Sequence, residues 1–213
     1  ALAGAAGIHP ALLVAVAFDI RAIFLCCLLG LAGAAPQRGR AMASQPKGFG
    51  DNRARFITRS VWDPRVPEEV KKIYCPGTSK AQGPCTRVAV QPIPKAAQHP
   101  AAGQYGLFAA STLYPGELIL DYLGHIRTDD LEGDAESEYV AALAPGILVD
   151  AAREGSEARF INDFHGTGCM PNVRFERRVD PSGEHRLGVH VMKRKIKKGE
   201  ELLITYGWGY ALG

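Results

Sequence analysis

From Arg87 onward the chain is cut into short apolar runs by glycine, proline and Asn-Asp turns, and this punctuation limits the available folds more than any other feature. The runs lie at residues 86–90, 104–110, 118–124, 139–143, 147–149, 173–175, 186–192 and 202–207. Several alternate or carry β-branched residues, as half-buried strands do. No segment offers a long amphipathic helix and no strand-helix-strand alternation appears, so the expected class is mainly β. Tyr114-Pro115-Gly116-Glu117 and Lys197-Lys198-Gly199-Glu200 read as two hairpin turns. The acidic stretch from 128 to 138 reads as a solvated loop.

The 213 residues leave room for one sizeable domain plus extensions. A hydrophobic content of 46% and a charged content of 22% suit a chain that buries a core. The net charge of +3 calls for no nucleic-acid partner. The basic run Lys193-Arg194-Lys195 with Lys197-Lys198 reads as the solvated face of a strand entering a turn. The five cysteines are spread too widely for a disulfide scaffold, which points to a reducing compartment. Cys75, Cys85 and Cys169 lack the close Cys-x-x-Cys pairing of a zinc site, so no metal is expected.

Residues 1–41 hold an apolar run, Ile23 to Leu29, followed by Ala32-Gly33-Ala34, like the core and cleavage site of a signal peptide. Asp19 and Arg21 interrupt it, and the first methionine is Met42. The expectation is that 1–41 stand outside the folded protein. Residues 42–86 form a polar extension with one short helix, with Pro67 at its start, Glu68-Glu69 in its first turn and Pro76-Gly77 as its stop. Residues 87–213 form the main domain.

Within that domain, residues 158–175 concentrate turn chemistry: Phe160-Ile161 stop at Asn162-Asp163, then come Gly166, Gly168 and Pro171-Asn172. An internal echo accompanies them. Gly116-Glu117 and Gly199-Glu200 each precede an apolar run ending in a tyrosine, Tyr122 and Tyr206, just upstream of a glycine-containing segment. Tyrosines so placed either serve the core or bury the ring and send the hydroxyl into a cleft.

Together and in order, four segments resemble the SET domain of protein lysine methyltransferases over roughly residues 87–210. They are Gln104-Tyr105-Gly106-Leu107-Phe108-Ala109, Glu117-Leu118-Ile119-Leu120-Asp121-Tyr122-Leu123-Gly124, Arg159-Phe160-Ile161-Asn162 with Pro171-Asn172, and Gly199-Glu200-Glu201-Leu202 leading to Tyr206-Gly207. The chain departs from the family at Asp163-Phe164-His165, where His-Ser is usual, at Asp121 and His125, and in lacking cysteines after Cys169. The form Arg-Phe-Ile-Asn-Asp-(aromatic)-x-Gly resembles fungal SET domain proteins.

The resemblance implies small curved β-sheets with few short helices and a pseudoknot, in which the segment around Asn162 threads beneath a neighbouring loop. It implies S-adenosylmethionine as cofactor and transfer of its methyl group to a protein lysine. Tyr206 is then the principal catalytic candidate, with Tyr122 as a channel wall. Tyr105, Gly106, Tyr139, Arg159, Phe160, Ile161, Asn162 and Trp208 become the cofactor-binding candidates. Tyr139 has a structural role as its alternative, and Arg159 is expected either to pair with a carboxylate or to make a structural ion pair. Without a zinc-closed channel, Trp208 and Tyr210 are the residues left to close that side.

The expected function is a protein-lysine N-methyltransferase acting on a histone or another lysine-bearing protein or peptide. The alternative is a catalytically idle SET-like module that binds a peptide or scaffolds a complex, and a secreted binding protein would require 1–41 to be a true signal peptide. The accompanying expectations are a monomer in the nucleus or cytoplasm, with neither membrane nor direct nucleic-acid binding.

Overall fold

The computed structural model describes residues 45–46, 49, 54–78, 80–131 and 137–206. The expectations for residues 1–41, Trp208 and Tyr210 lie outside these. In chain order the strands are β1 (Arg55–Phe56), β2 (Val61–Trp62), β3 (Val88–Pro92), β4 (Tyr105–Ala109), β5 (Leu118–Asp121), β6 (His125–Thr128) and β7 (Val140–Ala144). They continue as β8 (Ile147–Asp150), β9 (Glu154–Gly155), β10 (Asn162–Asp163), β11 (Val173–Val179), β12 (His185–Val191) and β13 (Leu203–Ile204). Among the described residues, a helix, α1 (Glu68–Tyr74), and a 3-10 turn (Glu157–Phe160) are interposed. The fold is mainly β, as the punctuated sequence predicts.

These strands pair into small sheets: β2-β6-β8-β7, β11-β12-β5, β3-β4, and the short parallel pairs β1-β9 and β10-β13. The two Gly-Glu turns do not join hairpin partners, contrary to expectation. β5 pairs with β12 and β13 pairs with β10, so each turn delivers its strand to a different sheet. The glycines still do what turn glycines do, with φ of +80° at Gly116 and +88° at Gly199. The echoed segments meet instead at their approaches, where Leu113 and Ile196 form an isolated antiparallel bridge. β6 also departs from the sequence reading, which places no strand between Gly124 and the acidic loop that begins at 128.

The extension is woven into this architecture. β1 pairs with β9 and β2 with β6, and fully buried Phe49 sets its ring edge-on to Phe56 and Phe160 at 5.3 and 5.1 Å. Edge-to-face pairs add stabilisation beyond the area they bury. Pro67 stands just before α1 as its cap rather than inside it. The basic run at 193–195 lies beyond the end of β12, exposed, with Arg194 paired to Glu200.

One tie sets the site. Asn162 pairs with Leu203 and Asp163 with Ile204 in parallel register. On the other edge of β13, buried Asn172 donates its backbone N–H to the Leu203 carbonyl at 2.9 Å. Its side-chain Oδ1 accepts the Leu203 N–H at 2.9 Å, and its Nδ2 donates to the Glu201 carbonyl at 2.7 Å. An asparagine side chain can copy the donor and acceptor pattern of a backbone, which is why this buried position takes an amide. The two ends of the 162–172 loop thus flank β13 on both edges.

Candidate active site

Two clefts meet around Tyr206. One, of about 190 Å³, is lined by Tyr122, Ile161, Phe175 and Tyr206 among others. The second, of about 110 Å³, is lined by Tyr105, Tyr139, Phe160, Asn162 and Tyr206 among others. Glu138 and Arg159 line both. Together they reach the lower end of ligand-pocket volumes, roughly 300–1,000 Å³. Of the residues singled out from sequence, Tyr122, Ile161 and Tyr206 thus gather on one side, and Tyr105, Tyr139, Phe160 and Asn162 on the other. Trp208 lies outside the described residues.

Tyr206 is carried two residues beyond β13 and is 38% exposed, so its ring stands open to the cleft. Its hydroxyl donates to the Ile161 carbonyl, and its backbone N–H donates to Asp163 Oδ2 at 2.6 Å. Asp163 therefore fastens the tyrosine through the backbone, from the position where the family usually has histidine. Its Oδ1 accepts the His165 N–H at 2.8 Å and also meets the His165 ring. Partial burial pushes the Asp163 carboxyl up, but these donors outweigh it and hold the group below the usual carboxylate range.

Tyr122 is buried, and its hydroxyl donates to the Tyr139 carbonyl at 2.7 Å. Burial, reinforced by the neighbouring Tyr206 phenol, pushes its ionisation far above the ordinary tyrosine value. It therefore serves as a neutral wall. Its ring tilts against Phe175 at 5.1 Å, which extends the apolar lining.

Of the two expectations for Arg159, the structural ion pair does not form among the described residues. No carboxylate among the described residues pairs with it; its Nε donates to the Ala151 carbonyl at 2.9 Å and its Nη2 to the Ala152 carbonyl at 3.3 Å. Its guanidinium lies 4.4 Å from the centre of the Tyr139 ring and 4.9 Å from that of Phe160. Cation–π contact and carbonyl oxygens make burial tolerable while leaving the charge without a counter-ion in contact among the described residues.

Asn162 is anchored from behind. Its Nδ2 donates to the Tyr105 carbonyl at 3.2 Å and to Glu201 Oε1 at 2.8 Å. Gly106 makes room for this junction: a Cβ there would come 2.5 Å from Glu201 Oε1 and 3.2 Å from Asn162 Nδ2. His99 completes the rear shell. Its Nδ1 accepts the Ala101 N–H at 3.0 Å, and its buried Nε2 lies 3.1 Å from Glu201 Oε2, too far off axis for a proper hydrogen bond. Sequence reasoning used Glu201 as part of a motif without assigning it a task, and it passed over His99 and Glu138. Nothing local marks His99, whose partner is distant in the chain.

Comparison with known proteins gives this geometry a family. Residues 104–207 match the SET domain family. The histone-lysine N-methyltransferase EZH2 of Chaetomium thermophilum is 32% identical over 117 residues, covering 48% of this chain and 7% of that protein. Among solved structures, ctPRC2 in an autoinhibited conformation bound to S-adenosylmethionine is 28% identical, with a TM-score of 0.45 over 58% of this chain and 15% of that one. Chaetomium thermophilum Polycomb Repressive Complex 2 bound to GSK126 is 29% identical, with a TM-score of 0.47 over 58% of this chain and 16% of that one. The chain thus spans only a small fraction of the relatives it matches. Residues 104–207 are a SET domain.

Proposed function

We propose that this protein is an S-adenosylmethionine-dependent protein-lysine N-methyltransferase whose cofactor and lysine enter the two clefts that meet at Tyr206. The single observation carrying this reading is that Asn162 and Tyr206 line one cleft while Tyr122 and Tyr206 line the other. A two-substrate transfer needs such a shared wall, because reacting atoms must be held in near-attack contact.

The residues present fit the cofactor. Arg159 offers a buried guanidinium with no carboxylate of the described residues in contact, suited to a carboxylate ligand. Asn162, with Tyr105 and Phe160 beside it, offers a polar anchor flanked by rings. S-adenosylmethionine supplies an electrophilic methyl group on a sulfonium. The chain's own residues do the rest. A lysine ammonium, with a free pKa of about 10.4, must lose its proton before its lone pair can attack. The apolar wall of Tyr122, Ile161 and Phe175 favours that loss by desolvating the charge. With the cofactor bound, Tyr206, held by the Ile161 carbonyl, would orient the amine nitrogen toward the methyl group.

The substrate is proposed as a lysine-bearing protein, histones included, and the location as the nucleus, on the likeness to EZH2. No helix among the described residues is long and apolar enough to cross a membrane. The expectation of a monomer stands against solved relatives that are named as a complex, and we propose that protein partners complete this one as well. Transfer of labelled methyl from S-adenosylmethionine to proteins of a cell extract tests the activity. Labelled lysine in wild type, reduced about a hundredfold with Tyr206→Phe, supports it; no label in either rejects it in favour of an idle binding module.

A further inference from the structure

A third cleft, of about 200 Å³, opens between the extension and the SET domain and shares no lining residue with the two described above. Phe56, Ile119, Leu120 and Leu123 give it apolar walls, and Glu157 lines it. Glu157 is 4% exposed, yet the group that ties its carboxyl to the rest of the described protein is the Cys85 N–H, which donates to Oε1 at 2.8 Å. The other buried carboxylates are matched by cations: Asp121 by Arg178 and Arg186, Asp63 by Arg65, and Asp180 and Glu184 by Arg186. Among the described residues, no lysine, arginine or histidine pairs with Glu157.

A buried carboxylate without a cation is costly and calls for an explanation, such as a ligand or ion that the protein alone does not supply. We propose that this cleft binds a primary alkylammonium group, free or on a lysine side chain, with the ammonium on Glu157 and the alkyl stem along the apolar walls. An alkylammonium matches the site on both counts, since its stem buries against apolar surface while its head pairs with the acid. Burial pushes the Glu157 carboxyl above its ordinary value, and an incoming cation would relieve that penalty. The proposal does not depend on methyl transfer.

The test is an amide-detected NMR titration of the full chain with n-butylammonium chloride, using n-butanol as the neutral control and the Cys85 amide as reporter. Saturable movement of that amide by n-butylammonium alone is expected, with binding at least tenfold weaker in Glu157→Gln. A Cβ on Gly83, which also lines the cleft, would meet nothing within 4 Å, so Gly83→Trp should fold and obstruct the site, also weakening binding. Nα-acetyl-lysine N-methylamide distinguishes the sources: binding as tight as the free amine assigns a lysine side chain, and weaker binding assigns a small amine. Equal responses to n-butylammonium and n-butanol, or an affinity unchanged in Glu157→Gln, would overturn the proposal. Should Glu157→Gln not fold, an unchanged affinity in Gly83→Trp overturns it equally.

Discussion

Tyr206 and Asn162 stand on one cleft because β10 and β13 run parallel, pairing Asn162 with Leu203 and Asp163 with Ile204. A phenol from the end of the domain and an amide from its middle are thereby fixed by main-chain hydrogen bonds rather than by side-chain packing alone. Asn172 locks the other edge of the same strand, so the relationship does not depend on a loose loop.

Removing the Tyr206 hydroxyl should separate chemistry from binding. Tyr206→Phe keeps the ring in the cleft and loses the hydroxyl that bonds the Ile161 carbonyl. Misplacing a reacting group by about 1 Å costs about 100-fold in rate, the order expected once this hold is lost. Single-turnover methyl transfer should fall by that order, while cofactor affinity measured by calorimetry changes little.

Asp163→Asn should loosen the hold on Tyr206 in a pH-dependent way. The folded carboxyl lies below its ordinary value, near 3.9. Its stabilisation is therefore fully present above about pH 4 and is lost as pH falls through the lower folded value. Urea unfolding should show the variant less stable by about 1 kcal/mol at pH 7, the order of the difference between a hydrogen bond to a charged acceptor and one to a neutral amide. The gap should narrow at pH 3. An equal gap at both pH values would mean that charge plays no part in the tie.

Gly106→Ala tests the rear shell of Asn162. The added methyl would press on Glu201 Oε1 and Asn162 Nδ2, so one of them must move. Cofactor binding should weaken by about tenfold, the ~1.4 kcal/mol equivalent of disturbing one such hydrogen bond. Glu201→Gln, which retains an oxygen for Asn162, should weaken it less. Both are read by the same calorimetric titration.

Phe49→Ala asks whether the extension belongs to the fold. Its ring is fully buried between Phe56 and Phe160, and loss of a core phenylalanine costs about 3–5 kcal/mol. Thermal unfolding should show one cooperative transition moved down. An unchanged midpoint would make the extension an ornament.

The sequence carried most of the strands, since alternation and turn residues are local signals. It also carried the motif residues as a group, through resemblance to a family rather than through spacing. What it hid was pairing over distance. Tyr114-Pro115-Gly116-Glu117 looks like a hairpin turn because the local chemistry is the same whether the next strand turns back or leaves for another sheet. Phe49 sits in a polar stretch whose composition gives no hint of a core aromatic. Arg159 looked like half of an ion pair, and only the fold reveals two carbonyls and two rings in place of a carboxylate. His99 meets Glu201 across most of the domain, and no pattern in either segment announces the other.

The most direct measurement is a calorimetric titration of the full chain with S-adenosylmethionine, repeated with Asn162→Ala. Saturable heat in the wild type, lost or weakened at least tenfold in the variant, is the predicted result. Absence of binding at cofactor concentrations well above those of a cell, or binding indifferent to Asn162, would contradict a cofactor site in the cleft that Asn162 and Tyr206 share.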